Sequence, residues 1–170
     1  LSDGGLSKGV TLSMQSLNPL TLQLIKRDNI SLETYKDLQS NFLSANINTY
    51  SDLILGLPGE TLESWVEGIS VLIEQGQRNR IQFNNLSLLP NAEMNRKEER
   101  ESAGFITIHS NIVNVHGSKK NMESDIYEKQ ELVVGTKSMP PQDWILARSY
   151  AWWVALNYFD KLTNIFLTYI

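Results

Sequence analysis

Three short runs with the two-residue period of a β-strand, at 9–16, 49–56 and 81–90, alternate along this chain with segments of helical period. That alternation constrains the fold more than any other feature. Parallel strands need a long crossover, usually a helix, so repeated strand–helix units predict an α/β fold with a parallel sheet. In "GVTLSMQS" (9–16), Val10, Leu12 and Met14 share one face, and Thr11, Ser13 and Gln15 the other. Asn18 is placed to cap a helix over 18–27 with Pro19 at its first position. Ser31 opens a second helix, with Leu32, Tyr35, Leu38, Phe42 and Leu43 at helical spacing, and Thr61 caps a third over 62–76, with Ser64 in its first turn.

Beyond Pro90 the pattern predicts a short helix near 95–103, a strand over 105–115, a mobile loop over 116–127 and a strand over 129–136. From Pro141 to the end the chain reads as one helix, apolar over more than half its circumference. The organisation expected is therefore an α/β part over 1–115, a loop and extra strand over 116–140, and a helical extension over 141–170. The start lacks an initiator methionine and a signal-peptide core, and the end stops inside an apolar run. Both ends read as cut from a longer protein.

At 170 residues the chain suits one ordinary domain. Its net charge of −4 argues against non-specific nucleic-acid binding, which needs a basic surface. It has no cysteine, which excludes disulfides, thiolate zinc sites and any cysteine-held iron–sulfur cluster within these residues. No stretch is apolar for long enough to span a membrane.

The turn "GLPGET" (56–61) invites a phosphate-binding loop, but it lacks the Gly-Lys-Ser/Thr ending that neutralises phosphates and holds magnesium. Its glycines read as residues that let the chain turn tightly. The strand before it is more informative. Alternation puts Asp52 and Ile54 on one face, Leu53 and Leu55 on the other. A carboxylate in an apolar parallel strand is costly unless it is paired or binds something, and ligands bind at the carboxyl ends of such strands. An acid there can accept both hydroxyls of a ribose, while the isoleucine offers a surface to a base. Gln15 repeats the design at the end of the first strand.

Three blocks, "KGVTLSMQSLNPLTLQLIKRDN", "SDLILGLPGETLESW" and "NNLSLLPNAEM", in this order and spacing, resemble the second half of a radical S-adenosylmethionine (radical SAM) domain. The wording "QSLNP…IKR", "GLPGET" and "LLPN…M", followed by Val133–Trp144, is most similar to cobalamin-binding-domain radical SAM proteins. The resemblance covers 8–94 closely and 128–150 loosely. It implies a partial (β/α) barrel, of which this chain carries the last strands, followed by a helical extension. In that family a [4Fe–4S] cluster on a CxxxCxxC loop binds S-adenosylmethionine, whose reductive cleavage gives a 5′-deoxyadenosyl radical.

On this chain the resemblance implies cofactor-binding positions at Gln15 and Asp52 for the ribose and Ile54 for the adenine, with Gly56 in the turn beside it. Arg27 matches an arginine that pairs with the methionyl carboxylate in some members, and Ser87 and Leu88 border the adenine, partly through backbone groups. The cluster cysteines, the first three strands and the second-strand glycine/glutamate motif are missing from these residues. The resemblance thus implies that the chain alone holds no cluster and is inactive, and that its partner is the N-terminal half of the same protein. Cobalamin is a further cofactor of the longer protein by the same wording, and a cytoplasmic, oxygen-sensitive enzyme is expected. The substrate, a small molecule or a peptide, is not written here.

The remaining signals have plainer readings. Glu60 sits at a helix start, where an acid serves the dipole and the cap rather than general acid catalysis. His109 and His116 read as surface or core histidines, not metal ligands, and Lys119 and Lys120 as a solvated pair. Asn29-Ile-Ser31 and Asn85-Leu-Ser87 match glycosylation sequons, without other signs of secretion. Trp144, Tyr150, Trp152, Trp153, Tyr158 and Phe159 lack the basic face of a membrane-surface helix, which favours a packing helix. The alternatives are a non-catalytic α/β nucleotide-binding or interaction module, and a module that oligomerises through 141–170.

Overall fold

The computed structural model describes residues 9–112 and 128–162. At its centre lies a three-stranded parallel sheet in the order β1 (Val10–Gln15), β2 (Thr49–Leu55), β3 (Arg80–Asn85). Helices α1 (Pro19–Leu24) and α2 (Leu32–Ser44) join β1 to β2, and α3 (Leu62–Glu74) joins β2 to β3, as the alternation predicts.

Side-chain chemistry starts each helix. The Asn18 side chain accepts from the Leu20 amide at 2.9 Å, Ser31 accepts from the Thr34 amide at 3.0 Å, and Thr61 with Ser64 forms a reciprocal capping box. All three helices end alike. A residue at positive φ (Lys26, Asn46, Gly76) follows the last turn, and the next amide closes back on Leu22, Phe42 and Leu72 respectively. At Lys26 this reversal aims the following residue, Arg27, back toward β1.

The helices cover one face of the sheet. Met14, Leu53, Leu55 and Ile81 from the strands pack with Tyr35 of α2 and with Trp65, Ile69 and Leu72 of α3. Each such buried side chain contributes roughly 1.5–3 kcal/mol. The amino ends of the strands are locked by a buried polar network. Gln77 receives Tyr35 Oη at 2.8 Å and Gln39 Nε2 at 2.6 Å, and donates to the carbonyls of Thr49 and Arg80.

After β3 come α4 (Lys97–Ala103), β4 (Ile106–Asn111) and β5 (Lys129–Gly135). The last two strands pair antiparallel, and β5 also bonds to the chain leaving β3, through Leu88 N to Glu131 O and Val133 N to Leu86 O. Arg100 fastens α4 to this pair by a two-pronged bridge to Glu131, at 2.5 and 3.0 Å. The expected strands near 105–115 and 129–136 are therefore present where described, whereas the expected loop at 116–127 lies outside the described residues.

Helix α5 (Pro141–Val154) returns to the helical layer, burying Ala147 and Ala151 and accepting the Trp65 indole N–H on the Ala147 carbonyl at 3.1 Å. The single helix expected from Pro141 onward is corrected here. After Val154 the helix passes into one π-turn, Ala155–Phe159, and ends before Lys161, which has positive φ, with Leu162 N bonded to Leu156 O; the rest of the expected helix, 163–170, lies outside the described residues. Neither glycine nor asparagine announces this stop in the sequence. No helix among the described residues is long and apolar enough to cross a membrane.

The second face of the parallel sheet is different. Strand register places Ser13 beside Asp52, Asp52 beside Gln82, and Ile54 beside Asn84. These residues alternate with the buried helix-side set, and all of them are half-buried or exposed. Parallel sheets ordinarily have both faces covered, so a polar, partly exposed second face is the unusual surface of this molecule.

Candidate functional site

Asp52 lies in mid-sheet on that face. Its Oδ1 is buried yet has no hydrogen-bond partner among the described residues. An unpaired buried acceptor costs about 1–3 kcal/mol, so a carboxylate held this way is suited to receiving donors from outside the chain. Ile54, two residues on and on the same face, supplies an apolar neighbour. Asp52 and Ile54 thus share one face of the sheet, as the alternation predicts.

Gln15 stands where β1 leaves the sheet. It is half-buried, and its side chain forms no hydrogen bond within the described residues. Its backbone is the notable part. Between Ser13 and Gln15 the register with β2 slips, Gln15 has φ 59°, and the Ser16 amide closes a three-residue turn on Met14 O at 2.7 Å. Glutamine seldom adopts positive φ, and such conformations cluster where structure serves a ligand.

Arg27 lies beside this turn with its guanidinium engaged. Nη2 donates to Ser13 O at 2.7 Å and Nε to Asn29 Oδ1 at 2.9 Å. A carboxylate would have to be met by the remaining, end-on donors of the fork. Asn29, read in the sequence only as part of a sequon, donates its amide to Met14 O at 2.9 Å and Ser16 O at 2.8 Å. A polar residue just after a helix stop was the only signal that could have found it.

The "GLPGET" turn holds the neighbouring loop rather than a phosphate. Gly56 is buried at φ 94°, and a Cβ there would press on Val133 at 3.3 Å. Gly59 at φ 82° lets the chain meet α1, where an added Cβ would come within 2.9 Å of Leu24. Glu60, taken as a helix-start acid, is only 1 % exposed. Its carboxylate accepts from Ser16 Oγ at 2.5 Å and from Ser64 Oγ, and burial raises its pKa above the ordinary glutamate value while these hydroxyls oppose the rise. Asn18 Nδ2 completes the tie by donating to Gly59 O and Ser64 Oγ, both at 3.1 Å. The chain leaving β1, just after Gln15, is therefore fastened to the turn that follows β2.

Ser87 and Leu88 lie farther along. Ser87 is half-buried and bridges to Leu132, whereas the Leu88 side chain is buried and its amide is taken by the Glu131 carbonyl. Two hollows lie away from Asp52. One, of ≈1050 Å³, borders Arg27 between α1 and α3; the other, of ≈500 Å³, lies among Leu24, Pro58, Met94 and Phe105. His109 is exposed, and no group of three or more His, Asp or Glu side chains among the described residues is placed to hold a metal.

No protein-family model matches the chain. The cobalamin-dependent radical SAM methyltransferase TokK of Streptomyces tokunonensis is 37% identical over 148 residues, 87% of this chain and 21% of TokK. The chain is homologous to part of a radical SAM protein. The 2-(S-pantetheinyl)-carbapenam-3-carboxylate methyltransferase of Streptantibioticus cattleyicolor is 36% identical over 143 residues, 84% of this chain and 21% of that enzyme. This chain thus spans about a fifth of the length of the curated relatives it matches. The fold agrees with that of the radical SAM methyltransferase TsrM from Kitasatospora setae, solved with tryptophan and a SAM analogue. The TM-score is 0.55 at 17% identity, over 85% of this chain and 31% of TsrM.

The residues present fit a ribose and not an iron–sulfur cluster. Asp52, with its unpaired Oδ1, suits the hydroxyl donors of a ribose. A cluster finds no ligand here, because the chain has no cysteine.

Proposed function

We propose that this chain is the adenosyl-binding part of a radical SAM enzyme, its polar sheet face forming one wall of a (β/α) barrel. The observation that carries this reading is the buried Asp52 Oδ1, without a hydrogen-bond partner among the described residues, beside Ile54 on the polar face of a parallel sheet. In this role Asp52 accepts the ribose hydroxyls, Gln15 adds an amide from the neighbouring strand, and Ile54 packs against the adenine. Ser87 borders the same base, while Gly56 and Leu88 shape the backbone around it. Arg27 faces the methionyl carboxylate with the end of its guanidinium that Ser13 and Asn29 leave unused. When bound to a reduced cluster held by another part of the protein, S-adenosylmethionine supplies radical chemistry. This chain's share is to bind and orient the nucleoside and to exclude water from it.

Without cysteine, these residues alone do not perform that reaction. The N-terminal part of the same polypeptide is the partner we assign, in a cytoplasmic enzyme. Both curated relatives are named methyltransferases, which makes methyl transfer the first reaction class to assay. The test is to read the coding sequence upstream of Leu1. A CxxxCxxC motif in the same frame is expected; an in-frame start at Leu1 would sink the proposal.

A further inference from the structure

Among the described residues β1 is the edge strand of the parallel sheet, and its register with β2 breaks at its carboxyl end. Two side chains from the segment after α1 bind the carbonyls around that break. Arg27 Nη2 binds Ser13 O, and Asn29 Nδ2 binds Met14 O and Ser16 O, the carbonyls on either side of Gln15. The Asn29 amide cannot turn over freely, because its Oδ1 accepts Arg27 Nε at 2.9 Å, which leaves the NH2 group facing the two carbonyls. Together these four bonds encircle the one residue of β1 with positive φ. A strained backbone conformation persists only where its surroundings over-determine it. Here the surroundings are Asn29 and Arg27.

We propose that Asn29, oriented by Arg27, is a positioning residue that holds Gln15 in its positive-φ turn and so sets the Gln15 contact of the adenosyl site. Asn29 touches no ligand itself. The placement of the Gln15 side chain follows from the clamp, because a relaxed extended β1 would restore regular register and swing residue 15 to another side of the strand. The ligand half of this proposal rests on the cofactor reading above; the clamp itself does not.

The test compares the unmodified chain with Asn29→Ala, Gln15→Gly and the double variant. Asn29→Ala is expected to lower Tm by about 4–8 °C, from the loss of two bonds to carbonyls. Glycine takes up positive φ without help, so with Gly at position 15 the same change should cost no more than half as much. Equal losses in both backgrounds would overturn the clamp. Should Asn29→Ala fail to fold, recovery of a cooperative melt by adding Gln15→Gly supports the clamp and no recovery overturns it.

Calorimetry with S-adenosylhomocysteine reads the second half. Asn29→Ala should weaken binding about tenfold, whereas Thr49→Ala, at the other end of the sheet, should lower Tm without weakening it. Equal weakening in both variants would reduce Asn29 to a structural residue and overturn its positioning role. Absence of binding to the unmodified chain would count against the cofactor reading, and the melting comparison would still decide the clamp.

Discussion

Ser16 and Glu60, 44 residues apart in the chain, meet in a buried hydrogen bond of 2.5 Å that ties the end of β1 to the turn after β2. Among the described residues Glu60 has no cationic partner; hydroxyls of Ser16 and Ser64 satisfy it instead. Glu60→Ala should therefore strand two hydroxyls and open a cavity, costing about 2–4 kcal/mol in urea unfolding. Glu60→Gln, which keeps the volume, should cost less than half of that. A near-neutral alanine variant would show that the tie carries no weight.

The same carboxyl makes a prediction about pH. Burial raises its folded-state pKa, so the native state holds the proton more tightly than the unfolded chain. Its contribution to stability is then complete below the ordinary glutamate value and declines as pH rises through the higher folded value. Glu60→Gln should remove that downward slope from a plot of stability against pH.

Glu131 has the opposite sign. The Arg100 guanidinium, together with Thr107, lowers its pKa from 4.5 to about 2. Stability from this pair is present above the unfolded value and is lost as pH falls from 4.5 toward about 2. After allowing for screening by solvent, the loss should be of order 1–2 kcal/mol. Arg100→Met should flatten the acid limb of the pH–stability curve; an unchanged limb would contradict the assignment.

Gln77 tests the division between fold and site. It is fully buried at the amino end of the sheet and serves Tyr35, Gln39 and two carbonyls. Gln77→Leu should cost about 3 kcal/mol, since four polar groups lose a partner at once. It should leave any nucleoside affinity unchanged once the protein is folded, because ligands meet parallel sheets at the other end.

Most of the parallel architecture was legible in the sequence, because strand period, helix period and cap residues agree at Asn18, Ser31 and Thr61. The alternation that set Asp52 and Ile54 apart from Leu53 and Leu55 survives in the burial of β2. What the sequence hid depends on contacts between distant residues. Nothing local announces that Glu60 will be buried against Ser16, or that Asn29 will grip the carbonyls around Gln15. Gln15 and Lys161 adopt positive φ without being glycine, so the turn at the end of β1 and the stop after α5 leave no local signature. The pairing of β5 with the chain beyond β3 is likewise set by packing rather than by any turn motif.

In the function proposed, the polar sheet face receives an adenosyl group through Asp52. The most direct measurement is an NMR titration of this chain with S-adenosylhomocysteine, following backbone amides and the Asp52 carboxyl carbon. Weak, saturable shifts are expected, centred on Ser13, Gln15, Asp52, Ile54 and Asn84, with affinity at least about tenfold lower in Asp52→Ala. No binding, shifts confined to the helical side, or binding indifferent to Asp52→Ala would contradict it.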